Sequence, residues 1–131
     1  MTLDQQKELA VKFIKALEWP EAKILSAMVT EDFEFDPMGR LKQVPVLHGK
    51  EAIRLMETNL QRAFPNRLAM RILTVIAEGN AVAIQAESEA ITNKGRKYSN
   101  RYHFYIRFAG DKIALVREYN DTDHVRQVIF S

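Results

Sequence analysis

The sequence predicts an α+β domain in which three N-terminal helices pack on a strongly curved antiparallel sheet. Apolar residues recur at helical spacing in the first half of the chain, and long strand-like runs fill residues 68–119. Short turns separate those runs, and consecutive strands joined by short turns must pair antiparallel. A chain of 131 residues is the length of one domain, so residues 1–131 are read as a single unit.

Thr2 followed by Gln5 has capping-box spacing, and Leu9, Ala10, Phe13, Ile14 and Leu17 then repeat at three and four, predicting a helix to about Glu18. Trp19-Pro20 interrupts it. A short second helix follows, with Ala22, Leu25, Met28 and Val29 on one face. Phe33 and Phe35 alternate with acidic residues in a short strand that Pro37-Met38-Gly39 ends, and residues 40–47 read as irregular. His48-Gly49 opens a third helix carrying Ala52, Ile53, Met56, Leu60 and Ala63, closed at Phe64-Pro65. Strands are then expected at 68–77, 81–91, 98–108 and 113–119, with turns at Gly79, Gly95 and Gly110.

Composition narrows the function classes. Net charge is +2 from 19 basic and 17 acidic residues, and the basic residues are scattered singly, so a nucleic-acid partner is not expected. No apolar run approaches the roughly 20 residues of a membrane span, and the first residues lack a secretory pattern. Residence in the cytoplasm, with no membrane partner, is the expectation. There are no cysteines, and His48, His103 and His124 have no metal-ligand spacing. Neither a metal nor another cofactor is expected.

Three stretches carry a family resemblance: residues 30–39 with Glu31-Asp32 and Asp36-Pro37-Met38-Gly39, residues 47–53 with His48-Gly49, and the hairpin 98–121 ending in Arg117-Glu118-Tyr119-Asn120-Asp121. In this order they resemble the nuclear transport factor 2-like superfamily, in its ketosteroid isomerase and SnoaL-like polyketide cyclase branch. The hairpin is also similar to the phenazine-biosynthesis A/B proteins. The resemblance covers nearly the whole chain. It implies a conical fold enclosing a deep apolar cavity for a small apolar molecule, and a homodimer through the outer sheet face.

By that resemblance Asp36 falls at the position of a general base and Glu118 at that of a pocket acid/base. Read by itself, Asp36 is equally a turn aspartate, and Glu118 a strand-edge carboxylate paired with a neighbouring base. If both enter one apolar cone, repulsion and lost hydration would separate their pKa values into one acid and one base. The carbonyl-polarising donors of steroid isomerases match Phe13 and Phe104 here, so both hydroxyl donors are missing. Another donor or another reaction is needed.

Strand alternation, taken from Phe104 inward, puts Tyr98, Asn100, Tyr102 and Ile106 on the same face. On the last strand, the pairing that the family resemblance implies puts Val116, Glu118 and Asn120 inward. The candidate site is therefore Asp36 and Glu118 as catalytic residues, with Phe13, Trp19, Asn100, Tyr102, Phe104 and Asn120 binding ligand. Trp19 has packing between two helices as its alternative reading. The outward row of Arg101, His103, Tyr105 and Arg107 suits a dimer surface. Two functions stay open: an isomerase, cyclase or dehydratase moving protons on a hydrophobic carbonyl compound, and a non-catalytic binding or interaction module of the same fold.

Overall fold

Thr2 caps the first helix as its spacing from Gln5 predicts. In the computed structural model, which describes all 131 residues, the Thr2 hydroxyl accepts from the Gln5 N–H at 3.1 Å, and the Gln5 side chain accepts from the Thr2 N–H at 2.8 Å. Two donors that a helix start leaves unpaired are thereby satisfied. This helix, α1 (Leu3–Ala16), buries Ala10, Phe13 and Ile14 on one face and ends ahead of Trp19-Pro20. Beyond it, the Glu18 carboxylate accepts from the Met70 N–H at 2.8 Å, Arg67 at 2.6 Å and Lys15 at 2.9 Å. Burial pushes this carboxyl up, but the three donors outweigh it and hold the group below its ordinary 4.5.

Next in order come α2 (Ala22–Ser26), β1 (Val29–Pro37), β2 (Leu47–His48) and α3 (Gly49–Ala63). The long strands are β3 (Ala69–Glu78), β4 (Ala81–Ile91), β5 (Lys97–Ala109) and β6 (Lys112–Asn120), and a fourth helix, α4 (Thr122–Val128), follows them. β2 falls at the edge of a stretch that reads as irregular, and α4 lies where no helix is expected. No helix is long and apolar enough to cross a membrane.

The six strands form one sheet in the order β2-β1-β6-β5-β4-β3. The consecutive long strands pair antiparallel, as their turns require. β1 differs: it lies parallel to β6, with Phe35 beside Val116 and Pro37 beside Glu118. A tight turn dictates direction only between neighbours in sequence, and α3 with four strands separates these two. The sheet is therefore mixed.

The core lies between the helices and the inner sheet face, where Phe13, Phe33, Phe104, Ile14, Leu25, Ile53, Ile84 and Ile106 are fully buried. Phe13 and Phe33 meet with ring centroids 6.0 Å apart. β5 shows the alternation most clearly, burying Tyr98, Asn100, Tyr102, Phe104, Ile106 and Phe108 in turn.

At the end of the sheet, Asp121 caps α4 by accepting from the His124 N–H at 3.2 Å. The turn after β1 packs directly on this helix: a Cβ on Gly39 would overlap the Thr122 Cγ2 methyl. Gly39→Ala is therefore expected to destabilise the protein by about 1–3 kcal/mol, the usual cost of overpacking. Thermal unfolding should show most of that loss restored by adding Thr122→Ser, which removes the methyl.

Candidate functional site

Between α3, the inner sheet face and α4 lies a cavity of about 420 Å³, within the range of small-molecule sites. Leu17, Phe35, Met56, Leu60, Phe64 and Met70 supply apolar wall, and β5 and β6 contribute Tyr98, Tyr102, Phe104, Glu118 and Asn120. Thr122 and Val125 of α4, with Ile129 and Phe130 beyond it, close one side. Arg40, Arg62 and Lys94, all exposed, line it as well.

Glu118 is the only carboxylate in this lining. Alternation along β6 buries Val116 and turns Arg117 to the opposite face, so Glu118 meets the cavity. It keeps some accessible surface because it faces an open volume, yet protein on all sides removes it from bulk water. Burial pushes its carboxyl up from 4.5 to about 7, against the opposing pull of Asn120. The Asn120 amide donates to Glu118 Oε2 at 2.5 Å, which leaves Oε1 free of any protein partner. A carboxyl balanced near neutrality can both take and return a proton.

Beside it runs a chain of hydroxyls. The Asn100 N–H donates to Ser88 Oγ at 3.3 Å; Ser88 Oγ and Tyr102 Oη are 2.9 Å apart, and Tyr102 Oη and Tyr98 Oη 3.0 Å apart. Asn100 Nδ2 also donates to Tyr98 Oη at 2.9 Å. One proton order is consistent with every contact: Ser88 gives to Tyr102, Tyr102 gives to Tyr98, and the Tyr98 proton is left without a protein acceptor. The reverse order would strand the Ser88 proton, which is buried and has no other acceptor.

Burial pushes the Tyr98 hydroxyl up to about 12 and the Tyr102 hydroxyl well above its ordinary value, and the charge of Glu118 adds to both. They stay protonated and act as donors. Tyr98 is held by Phe64 at 5.1 Å and His124 at 5.3 Å between ring centroids, and Tyr102 stacks on Phe104 at 5.4 Å.

The candidates from sequence divide. Glu118, Asn120, Tyr102 and Phe104 line one cavity. Asn100 stands behind the wall, where its amide serves Tyr98 and its oxygen accepts from the Asp121 N–H at 3.1 Å. Phe13 is in the core against Phe33. Trp19 borders a separate surface cleft with Lys15, Glu18 and Arg67, because the break after α1 turns it away from the sheet.

Asp36 does not enter the cavity. Phe33 and Phe35 face inward, so the two-residue period of β1 turns Asp36 outward, 3.7 Å from the Arg117 guanidinium. The pairing of Asp36 with Glu118 in one cone is thus not formed, and no carboxylate contributes to the rise at Glu118. Asp36→Asn is expected to change stability by no more than about 0.5 kcal/mol, the usual reach of a substitution outside the core, and thermal unfolding of the two proteins checks this.

Three features went unread in the sequence. Ser88 continues the inward row of Val82, Ile84 and Ala86 on β4, and that period is visible once its face is fixed. Asp121 followed by Val125, Val128 and Ile129 has the cap and spacing of α4. The Tyr98 hydroxyl could be placed on the inner face but not in a chain with Ser88, since that contact spans strands. His48, at the start of α3, is exposed, with Nδ1 3.7 Å from Glu34. On the outer face His103, Tyr105, Arg117 and Tyr119 border a shallow groove. No group of three or more His, Asp or Glu side chains is arranged to hold a metal ion.

A family model described as SnoaL-like domain matches residues 10–116. Among solved structures, a candidate isomerase from Bacillus subtilis is similar at 18% identity and TM-score 0.84, covering 99% of this chain and 96% of that one. An NTF2-like protein from Burkholderia xenovorans LB400 is similar at 18% identity and TM-score 0.80, covering 98% of both chains. A candidate SnoaL-like polyketide cyclase from Jannaschia sp. CCS1 has 17% identity and TM-score 0.80, covering 96% and 92%. At these identities the likeness is one of fold. No curated protein matches the sequence.

Proposed function

The chain belongs to the SnoaL-like domain family, and from that premise we propose that it is an enzyme of the isomerase or cyclase kind, moving a proton at carbon next to a carbonyl in a small hydrophobic compound. The observation that carries this reading is Glu118: a carboxyl raised to about 7, alone in an apolar cavity, with one oxygen held by Asn120 and the other free. A strand-edge glutamate kept for charge would face water.

In this mechanism Glu118 Oε1 takes the proton from the carbon beside the carbonyl. The C–H electron pair forms the enolate and its negative charge collects on oxygen, where the Tyr98 hydroxyl donates. Glu118 then returns the proton to another carbon, giving an isomer, or the enolate carbon attacks a second carbonyl of the same molecule, giving a ring and an alkoxide that is protonated. Phe104 occupies a position where steroid isomerases place a donor, and the Ser88–Tyr102–Tyr98 chain supplies one instead. Such a donor acts most strongly where water is excluded.

The test uses 2-tetralone, an apolar ketone with acidic C–H bonds, in D₂O. Wild type is expected to accelerate deuterium incorporation over buffer. Binding without acceleration, for this and other enolisable ketones, would instead support a non-catalytic binding protein.

The outer face supports a homodimer, since Tyr119, His103 and Arg107 lie exposed there beside Tyr105. Light scattering should give a mass twice that of the 15.1 kDa chain; a monomer would remove this part of the reading.

A further inference from the structure

Besides its apolar wall, the cavity has a cationic mouth for which the proton-transfer mechanism has no use. Its three cations come from distant parts of the sequence and all line this one cavity, on segments fixed by specific contacts. The Asn93 N–H donates to the Ala63 carbonyl at 2.9 Å, which sets the β4–β5 turn carrying Lys94 against the end of α3 carrying Arg62. Lys94 Nζ reaches on to the Ile129 and Ser131 carbonyls at 3.2 and 3.1 Å. At the other end of α4, the contact of Gly39 with Thr122 fixes the turn from which Arg40 extends.

These charges have no Asp or Glu partner, whereas Arg54, Arg67 and Arg126 pair with Glu51, Glu18 and Asp123. Arg101 and Arg107 on the outer sheet face are likewise without an acidic partner but do not line the cavity. No Asp or Glu side chain lies within 4.0 Å of Arg40, Arg62 or Lys94, and the one side-chain carboxylate of the lining, Glu118, belongs to the wall formed by the strands. Arg40 is also held at φ 60°, a left-handed conformation that non-glycine residues seldom adopt. Uncharged side chains, Gln43 and Asn59, complete the polar lining near these cations.

We propose that this mouth binds an anionic group of the ligand, so that the substrate is an apolar carbonyl compound bearing a carboxylate or phosphate, its charge among Arg40, Arg62 and Lys94 and its apolar body in the cavity. The proposal rests on the small-molecule reading of the cavity and adds the chemical class. It also gives the ligand one direction of entry. A molecule with its anion at the mouth presents its carbonyl-bearing end to Glu118 and Tyr98.

Calorimetry with three probes of one shape tests it: 2-naphthylacetate, 2-naphthyl phosphate and the neutral 2-naphthylacetamide. At pH 6 Glu118 is mostly protonated and does not repel the anions. At low salt at least one anion should bind roughly fivefold to tenfold more tightly than the amide, the scale of a few partly exposed ion pairs, and the tighter anion identifies the group recognised. The preference should shrink in 0.5 M salt. In the Arg40→Gln, Arg62→Gln, Lys94→Gln triple variant it should vanish while amide affinity is retained.

Equal affinity for the amide and both anions, or a preference that survives in the triple variant, overturns the anionic mouth and leaves the cavity reading standing. If none of the three probes binds, the cavity reading falls and the mouth with it.

Discussion

Glu118→Gln is expected to abolish proton transfer and at the same time to make the protein more stable at pH 8. Loss of a general base commonly lowers rate by about 10²–10⁴-fold, and glutamine keeps the shape and can still accept the Asn120 amide. The stability effect follows from linkage. The folded state holds the Glu118 proton up to about pH 7, whereas the unfolded chain releases it near 4.5. Between those values the folded state binds more protons, so stability falls as pH rises, and above about 7 the charged carboxylate remains as a burden. Each pH unit corresponds to about 1.4 kcal/mol, and with allowance for water in the cavity the gain at pH 8 is about 1–3 kcal/mol. Below pH 4.5 the two proteins should unfold alike. Thermal unfolding at pH 4 and 8 reads this directly, and a variant less stable than wild type at pH 8 would mean that Glu118 is held there as a structural ion.

Tyr98→Phe carries the second large effect. If Tyr98 is the donor at the cavity end of the hydroxyl chain, its loss should lower kcat by about 10²–10³-fold, as for other oxyanion donors, with KM little changed. Tyr102→Phe breaks the chain one link earlier and leaves the Tyr98 hydroxyl in place, so its effect on kcat should be smaller. The order of these two variants separates a donor from mere packing. Both remove a buried hydrogen bond, at a similar cost of about 1–3 kcal/mol, and a structural role would make their rates fall together. Equal kcat losses would therefore count against Tyr98.

Much of this site could be read before any coordinates. The period-two pattern of residues 98–108 sets Tyr102 and Phe104 on one face, because alternation is a property of the strand itself, and the pairing implied by the family resemblance sets Glu118 and Asn120 opposite them. The α+β class followed from element order and turn length. The resemblance sets Asp36 in the cavity, whereas burial of Phe33 and Phe35 turns it to the other face of β1, beside Arg117. Phe13 and Trp19 depend on how α1 lies over the sheet, which no local pattern states. The parallel β1–β6 pairing, the contact of Ser88 with Tyr102, and the lining of one cavity by Arg40, Arg62 and Lys94 are all long-range. They arise only when the helices and sheet close on one another.

The most direct test of the account is the pH dependence of deuterium incorporation into 2-tetralone by wild type and Glu118→Gln. Glu118 is faced by the Asn120 amide, with the Tyr98 and Tyr102 hydroxyls nearby, and these remain neutral across the range. The account predicts a rate that rises with pH to a plateau, with a midpoint near 7, and a variant that stays at the buffer rate throughout. A wild-type midpoint near 4.5, or a variant that keeps the wild-type profile, would contradict it.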